Sequence, residues 1–109
     1  MNGCVFCKII KGEIKSEIVF EDRDTIAIKD INPQAPVHIL VIPKLHIPTI
    51  VDIDEKTSTS IFNAIKEVSK ILNLNSFRVV NNFGPDALQT IYHVHFHILA
   101  GRKFSWPPG

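Results

Sequence analysis

Three histidines, His93, His95 and His97, alternate with apolar residues in Tyr92-His93-Val94-His95-Phe96-His97-Ile98-Leu99. Imidazole can act as nucleophile, proton donor or metal ligand near neutral pH. The intervening residues are β-branched or aromatic, which reads as a strand over 92–99. Side chains of a strand alternate between its faces. The three imidazoles then share one face, spaced about 6–7 Å apart. Val94, Phe96 and Ile98 take the other. Three of the chain's five histidines fall in this short segment, which points to a functional row rather than scattered core side chains. The row is internal and interrupted, unlike a purification tag.

Other residues could join that chemistry. His38 lies in the apolar run 37–42. Alone it suits a core histidine bonded to a carbonyl. Beside the histidine strand it would bond a triad imidazole and fix its tautomer. Cys4-Val5-Phe6-Cys7 is a C-x-x-C without the βαβ surroundings of a redox site. It reads as half of a four-ligand metal site, two buried free thiols being the alternative. His46 and His93 are the candidates for the missing ligands. Asp30, beside Asn32-Pro33, is either a turn residue or a carboxylate for ribose hydroxyls. Gln89, Thr90 and Asn82 could donate to phosphate oxygens, and are also ordinary at a loop–strand junction.

The elements that must position these groups follow from the pattern. A short helix spans 4–11 and stops near Gly12. Strands at 17–21 and 25–29 form a hairpin through a polar turn. Two prolines make 32–36 a loop, and 37–42 is a central strand ended by Pro43. Ile61, Phe62, Ile65, Val68, Ile71 and Leu72 recur at helical spacing, giving the main helix over roughly 54–72. Asp52 followed by Glu55 resembles a capping-box start. Another strand covers 77–81, and a loop leads to the histidine strand. The expectation is an α+β fold over residues 1–109: a five-stranded antiparallel sheet, one long helix and a short N-terminal helix.

Composition sets bounds. At 109 residues and 45% hydrophobic, the chain suits one domain with a modest core, to which dimerisation would be an economical addition. A formal charge of +1 without a Lys/Arg block argues against a nucleic-acid groove binder but not against a small anionic ligand. No signal peptide or membrane-length apolar run is visible. A cytoplasmic protein is expected, where two cysteines seldom form a lasting disulfide.

The pattern His93-Val-His95-Phe-His97-Ile-Leu resembles the signature of the histidine-triad (HIT) superfamily. Cys4 to Ile14, Asp30 to His38, Val41 to His46 and the terminal Trp106-Pro-Pro-Gly109 are similar to its Hint branch, the histidine-triad nucleotide-binding proteins. The resemblance implies a HIT-like fold and hydrolysis of purine nucleoside 5′-phosphoramidates, such as adenosine 5′-phosphoramidate, releasing AMP or GMP. His95 would attack the α-phosphorus to form a nucleotidyl-histidine. His38 would hold its tautomer, His97 would contact phosphate oxygens, and His97 and Thr90 would assist the leaving amine. Gln89 would also contact phosphate, Asp30 would hold the ribose, and Asn82 would reach the nucleotide. Val5, Phe6, Ile9, Ile28 and Ile31 would line the base pocket. A structural zinc would bind Cys4, Cys7, His46 and His93, with no metal required for catalysis. A homodimer is also implied, with the 54–72 helix and the 77–81 strand joining two sheets into one of ten strands. The tail 101–109 would approach the partner's site.

One departure stands out. Hint members usually carry Gly-Gly where this chain has Ala87-Leu88, and Leu88 adds bulk where backbone would approach phosphate. Three other readings compete: a dinucleoside polyphosphate hydrolase, a nucleotide-binding interaction module with little catalysis, and a zinc protein whose histidines only bind metal.

Overall fold

The computed structural model describes residues 3–109. Its first element, α1, spans Val5–Ile10. Cys4 caps it, its sulfur accepting the Cys7 N–H at 3.3 Å. Its end is a Schellman turn: the Gly12 N–H donates to Ile9 O and the Glu13 N–H to Lys8 O. Gly12 sits at φ +79°, the left-handed conformation such an ending requires.

β1 (Ile18–Glu21) and β2 (Thr25–Lys29) form the expected hairpin. The Asp22 carboxylate closes its turn, accepting N–H bonds from Asp24 and Thr25. β3 is Val37–Pro43, α2 is Glu55–Ile71, β4 is Phe77–Val80 and β5 is Phe96–Ala100. The strands make one antiparallel sheet in the order β1-β2-β3-β5-β4. The fold is the expected α+β arrangement, with five strands, one long helix and a short N-terminal helix.

Two expected details change. The cap of α2 is Asp54, whose carboxylate accepts the Thr57 N–H at 2.8 Å. Asp52 instead closes a one-turn 3-10 segment at Ile50–Asp52 by bonding back to Thr49. The last strand also begins later than expected, at Phe96 rather than Tyr92. The chain leaves the ladder before that point because its polar groups are spent elsewhere. The Val94 N–H donates to Ile47 O at 2.7 Å, and His95 O accepts from Asn81 Nδ2 at 2.9 Å.

The sheet is covered on both faces. One face packs Ala27, Ile39, Val41, Val94, Phe96 and Ile98 against Ile61, Ala64, Ile65 and Val68 of α2. Truncating a fully buried member such as Ile61 to alanine would cost about 2–5 kcal/mol. The other face packs Ile26, Ile28, Leu40 and Ile42 against Phe6 of α1. The histidines lie on this second face. Among the described residues, no helix is long and apolar enough to cross a membrane.

Candidate functional site

The alternation read from the sequence survives the loss of regular strand at 92–95. Val94, Phe96 and Ile98 enter the α2 core, and the three histidines point the other way. Phe6 holds two of them by edge-on contacts, with ring centres 5.9 Å from His93 and 4.9 Å from His95. His95 and His97 follow at 5.1 Å.

Hydrogen bonds set the tautomer of each ring. A backbone carbonyl can only accept, so the nitrogen facing it carries the proton. His95 Nδ1 therefore donates to His93 O at 2.9 Å, and its Nε2 keeps a free lone pair. His93 Nε2 likewise donates to Pro43 O at 2.7 Å, leaving its Nδ1 as a lone pair.

The same logic orders the other pair. The Gln34 N–H donates to His38 Nδ1 at 3.0 Å, so neutral His38 carries its proton on Nε2. That proton faces His97 Nδ1 at 2.8 Å. His97 is then left with Nε2–H as a donor, its ring centre 5.1 Å from that of His95. Register explains the pairing: Leu40 lies opposite His97 and His38 opposite Leu99, so His38 and His97 are diagonal neighbours on one face. The Gln34 loop is held closely by Gly101, at φ +94°. A Cβ there would meet Pro36 Cβ at 2.8 Å, so only glycine allows the approach.

Electrostatics keep these rings neutral. Burial lowers the pKa of His38, against a smaller opposing pull from Asp30. Burial also lowers His95, with the His93 carbonyl opposing. His97 falls furthest, to about 4, through burial and then the neighbouring His95 and His38. Neutral rings are what a nucleophilic lone pair and an ordered relay need.

The metal candidates converge. Cys4, Cys7, His46 and His93 bring one ligand atom each into a single cluster. His93 Nδ1 lies 3.3 Å from Cys4 Sγ, 3.6 Å from Cys7 Sγ and 3.1 Å from His46 Nδ1, and Cys7 Sγ lies 3.3 Å from His46 Nδ1. A tetrahedron built on zinc–sulfur and zinc–nitrogen bonds of about 2.3 and 2.0 Å has edges of about 3.3–3.8 Å. The donor set and its spacing fit a four-ligand zinc site, with two sulfurs and two imidazole nitrogens.

The remaining residues divide. Asp30 acts as a turn residue, its Oδ1 accepting the Asn32 N–H at 2.8 Å, while its Oδ2 lies 3.4 Å from His38 Nε2. Phe6 and Ile28 are buried together, Ile9 packs against them, and Val5 lies on the exposed rim. Ile31 is 97% exposed. Thr90 is exposed and opens onto a cleft of about 360 Å³ that it shares with Cys4, Val5, His46 and Tyr92.

The Gln89 side chain is turned inward. Nε2 donates to Pro48 O and Ile91 O, and Oε1 accepts the Gly84 N–H. Its amide braces the loop before the histidines, so its side chain is not placed to contact phosphate. Leu88 takes φ +65°, a left-handed conformation rare for leucine, with its side chain 75% exposed.

Three positioning groups escaped the sequence reading. Asn81, rather than its neighbour Asn82, bonds the histidine segment. The Gln34 N–H and the Pro43 carbonyl are backbone groups, which no residue type advertises.

Comparison with known proteins gives a consistent picture. The HIT domain matches residues 11–104. A 14 kDa zinc-binding protein of Zea mays is 42% identical, over 96% of this chain and 87% of its own length. The fold is similar to a HIT family hydrolase from Legionella pneumophila, with a TM-score of 0.92 and 43% identity over 98% of this chain and 100% of that one. It is also similar to the histidine triad nucleotide-binding protein of Candida albicans, with a TM-score of 0.84 and 35% identity over 98% and 85% of the two chains.

Proposed function

The chain belongs to the HIT domain family, and from that premise we propose that it hydrolyses purine nucleoside 5′-phosphoramidates through a nucleotidyl-histidine on His95. One observation carries this reading above the others: His95 Nδ1 is tied to the His93 carbonyl, which leaves Nε2 as a free, neutral nucleophile. The hydrolase and nucleotide-binding relatives support the same direction.

The steps follow from the tautomers. The nucleoside base lies against Val5, Phe6, Ile9 and Ile28, and the ribose hydroxyls donate to Asp30. His95 Nε2 attacks the α-phosphorus and forms a P–N bond. The P–N bond to the amine breaks, and the amine leaves with that electron pair and takes a proton from water. His97 Nε2–H donates to a non-bridging phosphate oxygen, where charge gathers during transfer. His95 becomes a nucleotidyl-imidazolium, its Nδ1–H still held by the His93 carbonyl. Water then attacks phosphorus, loses a proton to solvent, and the bond to Nε2 breaks. AMP or GMP leaves, and His95 returns neutral. Ile31, wholly exposed, would meet the base only at the mouth of the site, and Asn82 stands beside the bonded Asn81.

Zinc, when bound, would supply a cross-link between α1 and the segment before β5 through Cys4, Cys7, His46 and His93. Chemistry at phosphorus stays with imidazole. A homodimer completes the reading: β4 is an edge strand whose own Phe77 and Val79 are exposed, and Phe62 of α2 is exposed near Phe96 of β5.

The test is AMP release from adenosine 5′-phosphoramidate by native protein and by His95→Ala, with diadenosine tetraphosphate in parallel. Turnover of the phosphoramidate, abolished in the variant and slower on the tetraphosphate, is expected. Faster tetraphosphate cleavage would favour the polyphosphate hydrolase. Nucleotide binding without turnover would favour an interaction module, a reading to which the strained, exposed Leu88 lends some support.

A further inference from the structure

The histidine face of the sheet has a second chemistry on its far side. Arg78 in β4 lies opposite Leu99 in β5, which lies opposite His38 in β3. Residues directly opposite share a face, so Arg78 stands on the same face as His38. His97 is its diagonal neighbour, with Cβ atoms about 7–8 Å apart, within reach of a long side chain. α1 covers this face over β2, β3 and the 93–95 segment.

Arg78 is not alone there. Its guanidinium carbon lies 4.9 Å from the ring centre of Phe104, and that of Arg102 lies 4.2 Å from the same centre. Among the described residues, no carboxylate lies within ion-pair distance of either guanidinium. Their donors are only partly used. Arg78 Nη2 donates to Ser105 O at 3.1 Å, and Arg102 reaches Lys103 O and Gln34 O at 3.4 and 3.5 Å. A guanidinium has five N–H donors arranged to grip a carboxylate or phosphate. Two such cations on one aromatic ring repel each other, and an anion between them would relieve the repulsion.

We propose that Arg78 and Arg102, stacked on Phe104, form a subsite for an anionic group on the leaving side of the substrate. The inference rests on the reading of His95 as nucleophile. A substrate with its base under α1 and its phosphorus at His95 extends its third substituent toward β4, where the arginines stand. The substrate class assigned is a nucleoside phosphoramidate whose amine carries a carboxylate. A second phosphate offers the same anionic chemistry.

The experiment compares kcat/KM for adenosine phosphoramidates of β-alanine and of its uncharged amide. Native protein, Arg102→Gln and Arg102→Lys are assayed, with diadenosine tetraphosphate as a third substrate. Native protein should favour the carboxylate about tenfold, a preference that falls severalfold in R102Q, returns in part in R102K and weakens with salt. A merely structural role for Arg102 would lower both phosphoramidates alike and leave their ratio fixed, which would overturn the proposal. Sensitivity of the tetraphosphate alone would keep the subsite and assign it to phosphate instead of carboxylate. Native protein inert on every substrate would defeat the reading of His95, and the subsite with it.

Discussion

His93 binds His95 through its backbone carbonyl, which accepts the His95 Nδ1 proton at 2.9 Å. The ring of the same His93 turns its Nδ1 into the Cys4, Cys7, His46 cluster. One residue thus joins the candidate metal-ligand set to the free lone pair of the proposed nucleophile.

Metal content follows from that cluster. Elemental analysis should find one zinc per chain. Removal by a chelator should lower the melting temperature and with it the activity, because α1 and the 93–95 segment lose their cross-link. Two zinc ions per chain would instead revive the reading in which His95 and His97 are metal ligands.

Stability should depend on acid in a defined window. His97 in the folded protein has its pKa lowered to about 4, while in the unfolded chain it is ordinary, about 6.5. Between these values the unfolded chain binds more protons, so unfolding free energy rises with pH. The stability contributed by keeping His97 neutral is complete above about pH 6.5 and is lost as pH falls toward about 4. Melting curves of native protein and His97→Gln across this range should show a flatter pH dependence in the variant. Parallel curves would contradict the assignment.

Asn81 should matter for rate more than for binding. Its Nδ2–H holds the His95 carbonyl at 2.9 Å. Asn81→Ala removes a bond worth roughly 1 kcal/mol, or about fivefold in rate. Steady-state kinetics should place most of the loss in kcat, whereas Asn82→Ala should change kcat less.

Leu88 carries backbone strain at φ +65° with its side chain 75% exposed. A left-handed residue other than glycine costs about 1 kcal/mol or more, and glycine returns part of that as unfolded-chain entropy. Leu88→Gly should therefore raise unfolding free energy by roughly 0.5 kcal/mol in denaturant titration. A destabilised variant would mean that the exposed leucine makes a contact the fold needs.

The fold was legible where pattern and periodicity act locally. Alternation at 93–98 put the histidines on one face, and the spacing of Ile61, Ile65 and Val68 gave α2 and its buried stripe. Boundaries set by distant partners were not legible. The start of β5 depends on Ile47 and Asn81, and the α2 cap depends on Thr49 claiming Asp52. The candidate site divides the same way. Side chains with distinctive chemistry (His38, Asp30, the Cys/His set) announced themselves. The groups that choose the tautomers did not, because the Gln34 N–H and the Pro43 and His93 carbonyls belong to the backbone. Gln89 could be mistaken for a phosphate ligand because an amide that braces a loop and one that meets a ligand look alike in sequence.

In the proposed reaction His95 Nε2 becomes covalently joined to the nucleotide. Rapid mixing with adenosine 5′-phosphoramidate, a denaturing quench at alkaline pH and intact-mass measurement test it directly. A transient increase of one adenylyl group per chain is expected, mapped to His95 and absent in His95→Ala. AMP formed at full rate by the His95→Ala variant, or an adduct mapped to another residue, would contradict it.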